Sequence, residues 1–187
     1  MEKTTTFKPQ VKELENTTFW QQFGNKSRIE LKNSSFGIGK VAIGLQKFDE
    51  NNKQTAYCTS YIDFDKALVL ANDILSGKFA RMVEKSSEDM VKVYTLPGGQ
   101  SAEKANREDK KPLYRELTIS KGKLWIISAQ EGPGKVTSTG GFTADGKPDR
   151  KVNVGLSNEG LKAFALMLQN EISSYRTAQY MKLLLDE

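Results

Sequence analysis

The apolar residues of this chain follow a helical spacing in two places, each after a run of shorter segments. In residues 156–172 they stand at i, i+3, i+4, i+7 and i+11, as Leu161, Phe164, Ala165, Leu168 and Ile172. In residues 63–75 the same spacing is formed by Phe64, Ala67, Leu68, Ala71 and Leu75. This period predicts two amphipathic helices, over 63–79 and from 157 to about 185. The first helix is expected to be capped by Asp63 or Ser60 and to stop at Gly77, and the second is expected to be capped by Ser157 or Asn158.

Alternating apolar and polar residues predict four short strands before each helix. The first four are residues 17–23, 27–33, 36–48 and 54–62, and the second four are residues 90–96, 113–119, 123–130 and 151–156. In one of them Ile29 and Leu31 share a face while charged residues fill the other, which is the period of a half-buried strand. The Gly-, Thr- and Lys-rich segment 132–150 is expected to form an extended hairpin or a flexible finger.

These elements predict an α+β fold of two ββββα repeats, in which antiparallel sheets are each covered by a C-terminal helix. The expected organisation is a flexible polar arm at 1–16 followed by a single domain at 17–187. Its repeats span 17–85 and 90–187. Within the second repeat, the polar segment 97–112 is expected to be a mobile loop.

The charge of the chain favours an anionic partner. The net charge is +5 and the pI is near 9.1, a balance that suits nucleic acid or a membrane surface. The excess lies mainly in residues 103–151, where eleven Lys or Arg against seven Asp or Glu supply +4 of the +5. Ordinary solvation of a lysine-rich surface is the alternative explanation.

The absence of histidine and the presence of a single cysteine, Cys58, exclude several classes of function. A Ser-His-Asp or Cys-His nucleophile is excluded, as is a zinc site that needs histidine or several cysteines. Gly39-Lys40 and Gly134-Lys135 are each followed by Val, where a Walker phosphate loop needs Ser or Thr. We therefore expect no enzymatic activity, no cofactor and no metal.

Signals for secretion and for membrane insertion are missing from the sequence. No run of about 18 apolar residues is present. The first residues, MEKTTTFKPQVKELENTT, lack the apolar core of a secretory signal. One cysteine forms no internal disulfide and suits a reducing compartment. These features predict a cytoplasmic, or at least intracellular, protein with no membrane partner.

The doubled pattern resembles a known family. Residues 150–172 (RKVNVGLSNEGLKAFALMLQNEI) look like the last strand and Ser-capped helix of Whirly and positive-cofactor-four single-stranded-DNA-binding proteins. Residues 39–75 resemble the central hairpin, final strand and helix of one copy. The Lys-Gly-Lys-Ala-Ala-Leu motif of plant Whirly proteins is absent, which favours a bacterial or phage relative. The resemblance implies a homo-oligomer that binds single-stranded DNA on its sheets during replication, recombination or transcription.

Single-strand binding needs basic residues for phosphates and aromatic platforms for bases, and both recur on one predicted face of each repeat. The candidates in the first repeat are Arg28, Lys32, Lys40, Gln46, Tyr57 and Tyr61. Those in the second repeat are Lys123, Trp125, Lys135, Lys147 and Lys151. Ala42 and Gly44 lie on the same predicted face, where small residues are expected to let a nucleotide chain approach the backbone.

Each candidate also has a simpler interpretation. Tyr57 and Tyr61 are equally well explained as half-buried packing residues, and the apolar neighbours of Trp125 favour a core position. A single surface lysine is more often solvated than functional. For the whole chain, two alternatives stay open: RNA binding by the same fold, and a protein-interaction or structural module with an apolar sheet face.

Overall fold

The computed structural model describes residues 17–185, and the predicted arm at 1–16 lies outside the described residues. The first repeat forms an antiparallel sheet in the order β1-β2-β3-β4, called here the first sheet. A 3-10 turn at Phe36–Ile38 precedes the third strand, and two helices follow the fourth. The elements are β1 (Thr18–Gly24), β2 (Ser27–Lys32), β3 (Lys40–Phe48), β4 (Gln54–Asp63), α1 (Phe64–Leu75) and α2 (Lys78–Glu84).

The second repeat forms another antiparallel sheet, called here the second sheet. Its main strands run in the order β5-β6-β7-β9, and the short β8 pairs with the far end of β7. The elements are β5 (Val91–Gln100), α3 (Ala102–Ala105), β6 (Leu113–Lys121), β7 (Trp125–Val136), β8 (Phe142–Ala144), β9 (Arg150–Leu156) and α4 (Asn158–Leu185). The predicted α+β class, with two antiparallel sheets and a C-terminal helix, is therefore confirmed.

A strand of the second sheet covers the core side of the first. β9 lies close to all four strands of the first sheet, and its Val152, Val154 and Leu156 share one buried cluster with Ile29 and Val41. Both sheets have one apolar face, and packing these faces together removes more apolar surface from water than a helix alone would. The expectation that each sheet is covered by its own helix is therefore incomplete.

The two long helices pack against each other beside the sheets. An aromatic cluster joins them: the ring of Phe36 lies 5.0 Å from that of Phe64 and 5.1 Å from that of Tyr175. The hydroxyl of Ser157 accepts a hydrogen bond of 3.1 Å from the Gly160 N–H, as the predicted cap requires. The first helix ends at Leu75, earlier than predicted, because the chain turns at Gly77 with a φ of 74°.

The sequence predicts one continuous loop at 97–112, but the structure does not form it. β5 continues through Gln100, and residues 102–105 form α3. Pro97 and the two glycines after it indicate a turn in a sequence, but β5 is a terminal strand, where proline is tolerated. Further along, Arg107 forms ion pairs with Asp109 at 2.8 Å and with Asp149 at 2.6 Å.

The segment 132–150 contains the predicted hairpin. β7 continues to Val136, and β8 pairs with it so that Lys135 stands opposite Thr143. No helix within residues 17–185 has the combination of length and apolar character that crossing a membrane requires.

Candidate nucleic-acid interface

The side of β2, β3 and β4 that faces away from the core is called here the outer face. The strand register places Arg28 opposite Gln46 and Gln46 opposite Tyr57. Lys32 lies on the same face of β2, and Tyr61 lies on the same face of β4 as Tyr57. The sequence therefore predicted correctly that these five candidate residues share one side of the first sheet.

A buried carboxylate lies at the centre of the outer face. Glu30 is only 3% exposed, and the Lys32 Nζ lies 2.7 Å from its Oε1 while the Arg28 guanidinium lies 3.5 Å from its Oε2. Gln46 and Tyr57 donate hydrogen bonds to Oε1 at 3.1 Å and 3.3 Å. Burial lowers the pKa of Lys32, but its hydrogen bonds with Glu30 and Tyr57 outweigh burial and raise that pKa above its usual value.

The small residues of β3 do not open the outer face to a ligand. Ala42 and Gly44 are buried, and a Cβ added at Gly44 would lie 2.7 Å from the Tyr57 hydroxyl and 2.8 Å from Glu30 Oε1. Neighbouring side chains therefore occupy the space that the sequence analysis assigned to a nucleotide chain. The expectation of close backbone approach at Ala42 and Gly44 is wrong.

A groove of about 780 Å³ lies between β4 of the first sheet and β5 of the second. Both are terminal strands of their sheets, and α3 and the turn before β3 complete the walls. Two predicted site residues, Lys40 and Tyr61, line it. The other nine predicted site residues are not part of its lining.

More cationic side chains than carboxylates line the groove, and one of the cations, Arg115, also pairs at 3.4 Å with Glu131, which lies outside the lining. Four cationic side chains and one carboxylate line the groove: Lys40, Lys66, Lys104, Arg115 and Asp63. Asp63 pairs with Lys40 and, at 3.2 Å, with Lys66. Hydrogen bonds from these two lysines, with the Lys40 bond the stronger cause, hold the pKa of Asp63 below its usual value, so this carboxylate is ionised at neutral pH.

Aromatic rings stand beside these charges. Tyr61 is 43% exposed, and the Arg115 guanidinium lies 5.8 Å from the centre of its ring, in a cation–π contact. Phe142, from β8, packs on Gly99, where an added Cβ would lie 2.6 Å from the ring. The neighbouring Gly98 faces open space. The groove therefore combines cations, an accessible ring and a stretch of backbone without side chains.

Trp125, a predicted site residue of the second repeat, belongs to the core. Its side chain is 5% exposed, and its indole N–H donates a 2.8 Å hydrogen bond to the Asn158 side chain. Alternation places Trp125 on the same side of β7 as the fully buried Ile127, so it faces the first sheet and the helices. The prediction that Trp125 presents its ring to a nucleic acid is wrong.

The four predicted lysines of the second repeat are exposed but are not brought together in the groove. Lys123 lies in the turn before β7, and Lys135 lies near the tip of the β7–β8 hairpin. Lys147 follows β8, and Lys151 stands on β9 opposite Gln130. Their positions fit solvated lysines as well as contacts with the phosphates of a nucleic-acid strand that extends beyond the groove.

Sequence reasoning missed five residues that matter to this region: Glu30, Lys66, Lys104, Arg115 and Phe142. Glu30 alternates with Arg28 and Lys32 along one strand, and this alternation in the sequence indicates that the three charged side chains lie side by side on one face. The other four come from different elements, and only the packing of the two sheets brings them to one groove. No cluster of metal-ligating side chains occurs among the described residues.

No protein-family model matches the chain, and no curated protein matches its sequence.

Proposed function

We propose that this chain is a single-stranded nucleic-acid-binding protein, with single-stranded DNA of any sequence as its main ligand. The observation that carries the proposal is the groove, whose lining contains four cationic side chains and one carboxylate beside the exposed Tyr61 ring. Single-strand binders combine a positive groove for the backbone with aromatic rings for the bases, and each stacked base contributes about 1–3 kcal/mol.

Size and chemistry support a single strand over a duplex. The groove volume of about 780 Å³ suits nucleotide-sized groups, since ligand pockets span about 300–1,000 Å³. A base stacked on Tyr61 has to be unpaired, because a paired base keeps its face inside the duplex. Lys66 and Lys104 would then bind phosphates at the rim, and Gly98 leaves room for the chain to pass.

The order of elements supports the resemblance to Whirly and positive-cofactor-four proteins. The first repeat places four antiparallel strands before a helix, as in that layout, and the second places the four main strands of its sheet before α4, with α3 and the short β8 as additions. We extend the proposal to the biology that the resemblance implies: a homo-oligomer that protects or presents single strands in replication, recombination or transcription, encoded by a phage or bacterium. The last turns of α4 are exposed and carry apolar side chains, including Tyr180 and Leu184, which suits contact with a second copy.

The alternative of a protein-interaction module fits this surface less well. That alternative expects an apolar, weakly charged sheet face, whereas the outer face carries Arg28, Glu30 and Lys32. RNA binding uses the same stacking and phosphate contacts, so it is a possible outcome of the same experiment.

Removing the two rim lysines tests the groove directly. We expect Lys66→Gln with Lys104→Gln to weaken binding of a labelled single strand about tenfold at about 50 mM salt. A full phosphate contact is worth about 0.7 in the salt slope, and Asp63 partly neutralises Lys66, so the double variant should lose between about 0.7 and 1.4. Fluorescence anisotropy over a salt series measures both quantities.

The control is Lys162→Gln, which removes one positive charge, half the change in the groove variant, from an exposed position on α4 outside the groove. Its affinity should stay within about twofold of the wild type, since distant exposed charges are screened. An equal loss of affinity in the control, or no loss of affinity in the groove variant, would show that the groove does not bind the single strand. Competition with DNA and RNA of the same sequence identifies the preferred polymer.

A further inference from the structure

Arg28 and Lys32, two cations that the sequence assigns to phosphate binding, already hold an anion. Glu30 lies between them with its carboxylate 2.7 Å from the Lys32 Nζ and 3.5 Å from the Arg28 guanidinium. The carboxylate is 3% exposed, while the side chains of Arg28 and Lys32 are 26% and 31% exposed. The two cations therefore cover the carboxylate, and their own outer surfaces still reach water.

We propose that Glu30 is an internal competitor for phosphate, which keeps Arg28 and Lys32 from contributing fully to nucleic-acid binding. The inference rests on the proposed function and concerns how strongly the outer face takes part in it. A carboxylate and a phosphate oxygen are equivalent acceptors for a guanidinium or an ammonium group. A phosphate that approaches this face has to share cations whose charge Glu30 partly neutralises.

The second sheet contains the same pair of residues without the cations. Glu116 lies on the second strand of its repeat, as Glu30 does, and accepts a 3.1 Å hydrogen bond from Gln130 on the third strand. The bond from Gln46 to Glu30 is also 3.1 Å, although it runs diagonally, since Glu30 stands opposite Gly44 while Glu116 stands directly opposite Gln130. Tyr114 donates a 2.8 Å hydrogen bond to Glu116, and within residues 17–185 no Lys or Arg lies within 4.0 Å of this carboxylate.

This comparison separates the two roles of the carboxylate. A Glu–Gln hydrogen bond occurs in both sheets, so it forms whether or not cations lie beside the glutamate. In the first repeat the positions two before and two after the glutamate are Arg28 and Lys32, whereas in the second they are Tyr114 and Thr118. The ion pairs are thus specific to the first sheet, and Glu116 is a matched control.

The variant Glu30→Gln tests the proposal, because the amide keeps the shape and an acceptor oxygen but removes the charge. We expect Glu30→Gln to bind a labelled single strand about threefold to tenfold more tightly at about 50 mM salt. Its salt slope should steepen by about 0.7 to 1.4, which corresponds to one or two added phosphate contacts. Glu116→Gln should change the affinity less than about twofold.

The opposite sign overturns the inference. If Glu30 only positions Arg28 and Lys32 for phosphate, Glu30→Gln weakens binding; if the outer face takes no part, neither affinity nor slope changes. A second variant covers the case in which Glu30→Gln does not fold. Lys32→Gln should weaken wild-type binding no more than Lys162→Gln does, and a loss well beyond that control also overturns the inference.

The same titrations distinguish this inference from the proposed function. Wild-type binding with no gain in Glu30→Gln leaves the groove as the site and refutes the competitor. If the wild type does not bind, the proposed function fails, and the inference survives only if Glu30→Gln acquires salt-dependent binding that Glu116→Gln lacks. Thermal unfolding of each variant checks that the differences arise in the folded protein.

Discussion

Ion partners decide what the basic residues of this surface can do. Arg28 and Lys32 hold Glu30, and Lys40 holds Asp63. A lysine that already has a carboxylate partner adds less to the potential felt by a phosphate than an unpaired lysine does. This is why a count of basic residues on a predicted strand face overestimates the charge available there.

Cys58 is a reactive group that the fold buries away from solvent. Its thiol lies on the core side of β4 and is 2% exposed. Burial, with a smaller effect from the Glu131 carboxylate, raises the pKa of Cys58 from 9.0 to about 11. The folded state therefore favours the protonated thiol, and its contribution to stability is complete below pH 9 and lost as the pH rises toward 11.

We expect native Cys58 to react with a thiol reagent at least about 100-fold more slowly at about pH 8 than in guanidinium chloride. The rise of the Cys58 pKa from 9.0 to about 11 alone reduces the thiolate fraction by that factor, and burial slows access of the reagent further. Absorbance of the released thiolate measures the rate. Equal rates in native and denatured protein would show that Cys58 is not in the core.

Two neighbouring glycines of β5 lie in different surroundings. At Gly99 an added Cβ would lie 2.5 Å from the Leu113 carbonyl oxygen and 2.6 Å from the Phe142 ring. At the adjacent Gly98 no atom lies within 4 Å of the added Cβ. The first glycine is thus required by packing of β5 on β6 and β8, and the second borders the groove.

We therefore expect two neighbouring substitutions in β5 to have different effects. Gly99→Ala should lower the free energy of unfolding by about 1–3 kcal/mol, because backbone atoms have to shift. Gly98→Ala should leave it within about 0.5 kcal/mol. Gly98→Phe should fold but weaken single-strand binding, since the ring would enter the groove. Denaturant titration and anisotropy test these results, and a stable Gly99→Ala would contradict the packing described here.

The helices and most strands were predictable from residue periodicity, but their ends and partners were not. The alternation of Val41, Ile43 and Leu45 predicted the buried side of β3, and all three are fully buried. The strand after residue 96 was missed because Pro97 and its glycines have turn propensity, which the position of β5 at the sheet edge overrides. Trp125 was misassigned because its apolar strand could present either face.

At the scale of the whole molecule, the groove exists only because the two repeats pack together. β9 approaches the first sheet, and this packing places β4 of one repeat beside β5 of the other. Lys40 and Tyr61 could be identified from the sequence because they belong to strands with clear alternation. Arg115, Lys104 and Phe142 could not, because their proximity to Tyr61 depends on the packing between repeats and on no local pattern.

The measurement that tests the central claim most directly is fluorescence anisotropy of the wild-type protein with a labelled single strand of about 30 nucleotides and with its duplex. Both titrations are run at about 50 mM and about 200 mM salt. We predict tight binding of the single strand, weaker binding of the duplex and a marked loss of affinity at the higher salt. No binding of the single strand at low salt would contradict the account and would favour a protein partner for this surface.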